Sequence, residues 1–252
     1  MMILFSQNLI LTLLFLHFIG VYSTTITLVN KCTYTVWPAT LTNAGTTPLP
    51  ASGTGFSLLP GATYSLSVPS SWSGRVWART LCSSGPAGNF SCATGDCGTG
   101  SVRCSGSGAY PPATLAEFTL SGSGGLDFYD VSLVDGYNLP LVARAVGGSG
   151  NCSAAGCVAD LNDSCPTQLR VAAGTYGEGV ACKSACDAFG DPQFCCSGAY
   201  ATPDKCKPSQ YSEYFKKACP SAYSYAYDDA SSTFTCTGAD YVITFCPSTS
   251  AT

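Results

Sequence analysis

Closely spaced cysteines and many glycines fill the stretch Gly88-Asn-Phe-Ser-Cys-Ala-Thr-Gly-Asp-Cys-Gly-Thr-Gly-Ser-Val-Arg-Cys104. The whole chain has 16 cysteines among 252 residues, and glycine occurs 27 times. An even number of cysteines in an exported chain is typical of a disulfide framework. A zinc site with four cysteine ligands, at Cys92/Cys97 and Cys182/Cys186, is the less favoured alternative, because an oxidising compartment favours bridges and no Cys-x-x-Cys pair occurs. Spacing alone does not assign the bridges, since sixteen cysteines pair in about two million ways.

The amino-terminal end carries no charged residue up to Ser23 and contains the apolar run Leu9-Ile-Leu-Thr-Leu-Leu-Phe-Leu-His-Phe-Ile-Gly20. This pattern predicts a secretory signal peptide over residues 1–23, with Val21 and Ser23 as the small residues at positions −3 and −1 of the cleavage site. A transmembrane anchor is the alternative, but the apolar core of about 12 to 14 residues is shorter than the ~20 that span a bilayer.

Histidine and charge limit the chemistry of the remaining chain. The single histidine is His17, inside the predicted signal peptide. Its removal leaves no imidazole for Ser-His-Asp or Cys-His catalysis or for a histidine-ligated zinc ion, and we expect neither a metal nor a cofactor. The chain has 11 Lys+Arg against 15 Asp+Glu and a net charge of −4. This charge argues against a nucleic-acid partner, because neutralising phosphates requires clustered Lys and Arg.

Short β-branched and alternating segments separated by Gly, Pro and Asn predict a mainly β chain. They lie at residues 25–29, 33–37, 64–68, 75–79, 114–120, 127–134, 139–144 and 241–245. Many short strands with turn residues between them indicate a β-sandwich rather than an α/β fold.

The region from Cys152 to Cys219 differs, because it holds nine of the sixteen cysteines and few long apolar runs. We expect a loop-rich lobe held by bridges rather than by a core of its own. Its clearest helix runs from Ser209, a good N-cap, to Cys219, before Pro220. A shorter helical piece is expected over residues 181–188.

The cysteine-rich stretch from Gly88 to Cys104 resembles the signature of the thaumatin-like family, also called pathogenesis-related family 5. The resemblance covers the whole mature chain and includes the acidic thaumatin-like allergens of fruits. Further matching motifs are Pro111-Pro-Ala-Thr-Leu-Ala-Glu-Phe-Thr-Leu, Asp127-Phe-Tyr-Asp-Val-Ser-Leu-Val-Asp-Gly-Tyr-Asn-Leu-Pro, Cys195-Cys196, Cys219-Pro-Ser-Ala-Tyr-Ser-Tyr and Tyr241-Val-Ile-Thr-Phe-Cys-Pro.

The resemblance implies a thaumatin-like β-sandwich with two disulfide-rich lobes, one of them containing a helix, and eight disulfides. The implied pairs are Cys32–Cys246, Cys82–Cys92, Cys97–Cys104, Cys152–Cys236, Cys157–Cys219, Cys165–Cys182, Cys186–Cys195 and Cys196–Cys206. It also implies a sandwich domain at residues 24–79, 113–158 and 220–252, a small loop domain at 80–112 and a helical domain at 159–219. A cleft would lie between the sandwich and the helical domain.

Three carboxylates can be interpreted from their positions in the sequence alone. Glu117 lies in an apolar strand-like segment, so by alternation it either points to solvent or is held in a cleft with a perturbed pKa. Asp130 and Asp135 are five positions apart, an odd number, and would face opposite ways on one flat strand. They converge only if the chain bends, and Asp135-Gly136 is a turn signal.

The resemblance implies that these carboxylates line the cleft, because family members place one arginine and four acids there. The matching residues are Arg75, Glu117, Asp130, Asp135 and Asp229. Asp228 stands beside Asp229, and either of the two aspartates can be the one that turns inward.

An acidic cleft suits a neutral polysaccharide, since carboxylates accept hydrogen bonds from sugar hydroxyls and aromatic rings stack on pyranose faces. Possible ring donors are Phe128, Tyr129, Tyr137 and Tyr200, although core packing is the alternative role for each. Paired carboxylates are also the minimum apparatus of a glycosidase. In that case Glu117 would be the acid, Asp130 or Asp135 its partner, and Arg75 would orient the group.

The resemblance therefore implies a secreted, monomeric plant defence protein of the apoplast that binds β-1,3-glucan of fungal walls and inhibits fungal growth. One alternative is a weak endo-β-1,3-glucanase. Another is a protein that permeabilises fungal membranes without glucan chemistry. Three Asn-x-Ser sequons, at Asn89, Asn151 and Asn162, are possible glycosylation sites.

Overall fold

The computed structural model describes residues 23–173 and 177–248, which form a mainly β protein with short helices. The predicted signal peptide and His17 lie outside the described residues, apart from Ser23. The strands are β1 (Ser23–Asn30), β2 (Trp37–Thr42), β3 (Thr63–Pro69), β4 (Ser73–Ser84), β5 (Phe90–Thr94), β6 (Leu115–Thr119), β7 (Asp127–Ser132), β8 (Leu141–Ser149), β9 (Ala155–Cys157), β10 (Arg170–Ala173), β11 (Glu178–Cys182) and β12 (Phe234–Phe245).

The helices are short and lie mostly in the cysteine-rich lobe. They are α1 (Ala185–Phe189), α2 (Pro192–Cys195), α3 (Gln210–Ala218) and α4 (Asp229–Ser232), with 3-10 turns at Ala51–Gly53, Ser123–Gly125 and Gly198–Tyr200. Ser209 caps α3 as predicted, because its hydroxyl accepts the amide N–H of Ser212. In the part of the chain that the structure describes, no helix has the length and apolar character needed to cross a membrane.

Two layers of strands build the sandwich, and β12 belongs to both. One layer has the order β2-β4-β6-β7-β12, and the other joins β3, β1, β12, β8 and β9. The first residues of β12, Phe234–Cys236, pair with β7, whereas Tyr241–Phe245 pair with β1 in parallel. Gly238 lies between these two parts with φ at +64°, a left-handed conformation that glycine adopts without strain. The long strand therefore bends from one layer into the other.

Alternation along the strands sends one set of apolar side chains into the space between the layers. Ile26 and Ile243 from one layer share a single cluster with Val76, Phe118 and Val131 from the other, and all five are buried. This contact between two inner faces is the core of the predicted sandwich.

The structure contains eight disulfides, and no cysteine of the described residues is free. The pairs are Cys32–Cys246, Cys82–Cys92, Cys97–Cys104, Cys152–Cys236, Cys157–Cys219, Cys165–Cys182, Cys186–Cys195 and Cys196–Cys206. They are the eight pairs that the resemblance implies. The division of the chain into three domains stays a prediction.

One of the strand predictions was wrong. Residues 33–37 were expected to be extended, but β2 begins only at Trp37. The reason is local, because the buried side chain of Asn30 accepts the amide N–H of Cys32 and donates to the carbonyl oxygens of Tyr34 and Leu58. These bonds hold a tight loop where the alternating pattern indicated a strand.

Candidate functional site

Three charged side chains form one row across three neighbouring strands. Arg75 on β4 lies opposite Glu117 on β6, and Glu117 lies opposite Asp130 on β7. Directly opposite residues of antiparallel strands share a face. Their sequence neighbours Val76 and Val131 point into the sandwich core, so alternation turns the charged residues outward. We call Arg75, Glu117 and Asp130 the acidic row.

A covered apolar row borders the acidic row on one side. It consists of Ala39, Trp77 and Leu115, which are buried against Cys97 and Cys104 of the small loop region and against Ala113, which follows that region. The loop region therefore covers the outer face as far as these residues. The acidic row is the next row along the strands, and the side chains of Arg75 and Glu117 are each 33% exposed.

The electrostatics of the acidic row depend mainly on the burial of its two neighbouring carboxyl groups. The guanidinium of Arg75 lies 3.5 Å from Glu117 Oε1 and is its ion-pair partner. Burial raises the pKa of Glu117, Arg75 opposes this change, and Asp135 adds to it. Burial and the neighbouring Glu117 carboxylate raise the pKa of Asp130 to about 8, with a further contribution from Asp229. Asp130 therefore keeps its proton near neutral pH while Glu117 is the better candidate for the ionised partner.

Two polar atoms of this row are buried without a hydrogen-bond partner. They are the Nε of Arg75 and the Oδ1 of Asp130. Such atoms are uncommon in native proteins, because an unpaired buried donor or acceptor loses its interaction with water.

Asp135 reaches the same region through a turn that follows β7. The amide of Gly136 donates to the carbonyl of Leu133, and the backbone carbonyl of Asp135 accepts the amide of Ala113. A Cβ at Gly136 would lie 2.7 Å from the carbonyl oxygen of Cys182, so only glycine permits this close approach to the helical lobe. Burial raises the pKa of Asp135, whereas the positive charge of Arg75 lowers it.

The sequence did not indicate Asp187 as a residue of the site. It lies on α1 in the helical lobe, 3.6 Å from the ammonium of Lys183. Its negative charge also raises the pKa of Asp135, so it contributes to the acidic region from a distant part of the sequence. An i, i+4 Lys–Asp pair is a common surface feature, and nothing in the local sequence relates it to the cleft.

The two adjacent aspartates differ sharply, and Asp228 does not join the acidic row. Asp228 Oδ2 lies 2.9 Å from the ammonium of Lys216 on α3 and also accepts the amide and hydroxyl of Ser224. Lys216 donates further to the carbonyl of Ala222 at 3.1 Å and the hydroxyl of Ser232 at 2.8 Å. Its three N–H donors thus have three acceptors. This Lys216 network organises the turn that precedes β12.

Asp229 is the member of the pair that approaches the acidic row. Its Oδ1 accepts the hydroxyl of Tyr223 at 2.9 Å, and its charge raises the pKa of Asp130. Tyr223 is hydrogen-bonded to the end of β7, since its amide donates to the carbonyl of Val131 and its carbonyl accepts the amide of Leu133, the residue after the strand. Sequence reasoning did not single out Tyr223 as a site residue. Its only sequence signal is its place in the motif that follows Cys219.

The four aromatic residues suggested as ring donors separate into two groups. Tyr129 and Tyr137 are fully buried in the sandwich core, so they cannot stack on a ligand. Phe128 lies two residues before Asp130 on β7 and therefore shares the outer face with it. Tyr200 is 38% exposed and lines a different pocket, together with Lys205.

Known proteins are similar to this chain in sequence and in fold. The profile of the thaumatin family matches residues 30–247. Thaumatin-like protein 1 of Arabidopsis thaliana is 59% identical over 92% of this chain and 90% of its own length. A Prunus avium protein named glucan endo-1,3-beta-glucosidase is 52% identical over 94% of this chain and 96% of its own.

A solved laminaripentaose-producing beta-1,3-glucanase, in complex with laminaritetraose, shares the fold. Its TM-score is 0.58 at 10% identity, and the match covers 88% of this chain and 99% of that one. At this identity the likeness concerns the fold alone. The family profile spans most of the chain, and the relatives exceed half identity over nearly their full lengths, so this chain belongs to the thaumatin family.

Proposed function

We propose that this protein binds a neutral β-1,3-glucan at the acidic row and acts outside the cell as a plant defence protein against fungi. The observation that carries the proposal is the acidic row itself, with Arg75, Glu117 and Asp130 aligned on one partly open face of the sheet. The predicted signal peptide supports export into the apoplast.

The chemistry of the row favours sugar hydroxyls over charged ligands. The partly exposed guanidinium of Arg75 can donate to a sugar oxygen, and the partly exposed carboxylate of Glu117 can accept a sugar hydroxyl. Asp135 and Asp229 add negative charge around the same place, which disfavours anionic polymers. A neutral polysaccharide meets these hydrogen-bonding groups without bringing a charge of its own into a partly buried site.

Hydrolysis is a second candidate function, supported by the difference between the two carboxyl groups and by the name of the Prunus avium relative. A glycosidase needs one protonated and one ionised carboxyl group. The pKa of about 8 favours Asp130 as the acid, whereas the ion pair with Arg75 favours Glu117 as the nucleophile or base. This assignment reverses the roles suggested by the sequence, where Glu117 was the acid.

The decisive experiment measures binding and bond cleavage together. Purified protein, Glu117→Gln and Asp130→Asn are titrated with a soluble β-1,3-glucan, and reducing ends are assayed in the same samples. Glu213→Gln and Asp204→Asn are matched controls, because both residues are exposed and lie in other parts of the chain. We expect weaker binding in the two row variants and wild-type behaviour in the controls.

Each outcome separates the candidates. Binding that weakens in the row variants, with no reducing ends released by wild type, supports a protein that only binds glucan. Release that disappears in both row variants supports the glucanase. Unchanged binding in both variants contradicts the proposal, and a fungal-leakage assay unaffected by both substitutions would then favour membrane permeabilisation without glucan chemistry.

A further inference from the structure

A second row of side chains lies beside the acidic row on the same outer face of the sheet. It consists of Asn43, Ser73, Thr119 and Phe128, which we call the neutral row. Ser73 lies opposite Thr119, Thr119 lies opposite Phe128, and the amide of Asn43 donates to the carbonyl of Ser73. Each strand rises about 3.4 Å per residue, so two residues place this row about 7 Å from the acidic row.

Hydrogen bonds connect the polar members of the neutral row. Asn43 Nδ2 donates to Ser73 Oγ at 2.9 Å, and Ser73 Oγ is 3.1 Å from Thr119 Oγ1. Thr119 is exposed, and Asn43 and Ser73 are half-buried. A hydroxyl both donates and accepts, with two lone pairs, so the row keeps hydrogen-bonding capacity for a ligand. It carries no charge, in contrast to its neighbour.

An aromatic ring ends the row at β7. Phe128 is half-buried rather than packed into the core. A Cβ at Gly122 would lie 3.1 Å from Phe128 Cδ2 and 3.2 Å from Thr119 Cγ2, so a larger residue there would crowd the ring and the threonine methyl. Gly122 therefore packs closely against Phe128 and Thr119. Aromatic faces bring a large contact area at little conformational cost, which suits the apolar C–H face of a sugar ring.

A groove continues the row at its other end. It has a volume of about 590 Å³ and is lined by Leu41 and Asn43 together with neutral residues of the loops at 44–54 and 105–106. Leu41, which lines the groove, lies opposite Arg75 of the acidic row in the strand register. Volumes of roughly 300–1,000 Å³ are usual for ligand sites. From β2 to β7 the row spans about 14 Å, because neighbouring strands lie ~4.8 Å apart.

We propose that the neutral row and its groove form an extension of the glucan site, which holds sugar units beyond those at the acidic row. The inference rests on the proposed function, since it assigns the same ligand to a longer surface. Uncharged hydroxyl and amide groups, one aromatic ring and an uncharged groove match a neutral chain of several sugars. The row offers no cation for an anionic polymer, and Asp135 and Asp229 place negative charge near the adjacent acidic row.

The test compares a long and a short ligand on two matched pairs of variants. Calorimetric titration uses a β-1,3-linked heptasaccharide and a trisaccharide of glucose with wild type, Thr119→Val and Phe128→Leu. Thr27→Val is the hydroxyl control, because Thr27 Oγ1 makes the same type of contact with Ser65 on another part of the sheet. Tyr200→Leu is the aromatic control. We expect each row variant to weaken heptasaccharide binding about three- to tenfold and to leave the trisaccharide unchanged.

Thermal unfolding of each variant checks that the fold is retained, and Thr119 is exposed enough to be replaced without loss of packing. Wild-type affinity that is equal for the two oligosaccharides overturns the extension. So does heptasaccharide binding that is unchanged in both row variants. If wild type binds neither oligosaccharide, the proposed function itself fails. Equal losses for both ligands in a row variant would contradict a separate extension and would place its residue in the primary site.

Discussion

Glu117 and Asp130 lie directly opposite each other on neighbouring antiparallel strands, so their carboxyl groups share one partly buried face. Two like charges at this separation cannot both ionise easily, and burial increases the cost. Arg75 on the other side of Glu117 stabilises the ionised form of Glu117. The result is a pair in which Asp130 holds the proton, with a pKa of about 8.

Asp130 should make the protein more stable in acid than in mild alkali. Its pKa is raised in the folded chain relative to the unfolded one, so the folded state binds more protons between pH ~4 and about 8. The free energy of unfolding therefore falls as pH rises through this window. Raised pKa values of Glu117 and Asp135 act in the same direction. Guanidinium unfolding under non-reducing conditions at pH 4.5 and 8.5 measures the slope.

Asp130→Asn should flatten this dependence and raise the melting temperature at pH 8.5 by roughly 2–6 °C, because the cost of ionising a buried carboxyl group is removed. Asp204→Asn, at an exposed position, should leave the slope unchanged. An Asp130→Asn protein with the wild-type slope would show that another group dominates.

Lys216→Met should destabilise the turn that presents Asp229. It removes a cation that is bonded to Asp228, Ala222 and Ser232, and leaves the Asp228 carboxylate without its ion pair. We expect a loss of about 1–3 kcal/mol in the free energy of unfolding. We also expect a lower pKa for Asp130, since Asp229 is then held less firmly beside it. Carboxyl carbon NMR titration and guanidinium unfolding measure the two effects.

Lys217→Met is the control for this variant, because Lys217 is exposed on the same helical turn. Asp228→Asn combined with Lys216→Met completes a double-mutant cycle, and the pair is coupled if the two single losses do not add. An unchanged Asp130 titration in Lys216→Met would mean that the Lys216 network is only structural.

Glycans should be found at Asn89 and Asn151 but not at Asn162. Asn89 and Asn151 are exposed, and the hydroxyl of Ser153 donates to Asn151 Oδ1 at 3.1 Å. Asn162 is part-buried instead, because its Nδ2 donates to the carbonyl of Asn138 at 3.0 Å and its Oδ1 is buried. Peptide mass spectrometry of protein secreted from a plant host, before and after enzymatic deglycosylation, measures occupancy. A glycan on Asn162 in correctly folded protein would refute the assignment.

Loss of the Cys32–Cys246 bridge should cost more than loss of a local one. The bridge links residues 214 apart, just beyond the parallel pair of β1 and β12, whereas Cys82–Cys92 links residues 10 apart. Loop-closure entropy predicts losses of about 5 and about 3 kcal/mol for the paired alanine substitutions. Denaturant unfolding of both double variants without reductant tests the order. Equal losses would indicate that strain or packing, rather than chain entropy, sets the stability.

Several features of this protein follow from local patterns in the sequence. Short alternating segments predict β1, β3 and β6, because successive side chains of a strand point to opposite faces. Ser209 and Pro220 predict the bounds of the α3 helix for a similarly local reason. The loop at residues 33–36 was missed, since the side chain of Asn30 overrides the alternating pattern there.

The sequence by itself determined a cysteine-rich, acidic, mainly β chain whose only histidine lies in the predicted signal peptide, so catalysis by the remaining chain would rest on carboxyl groups. The resemblance implied which acids line the cleft, but only the tertiary structure decided how they are arranged and which of Asp228 and Asp229 joins them. The register of β4, β6 and β7 aligns Arg75, Glu117 and Asp130, and the Lys216 network takes Asp228 away from them while Asp229 stays. The physical reason is that a pKa depends on burial and on charges brought close by folding from distant parts of the chain.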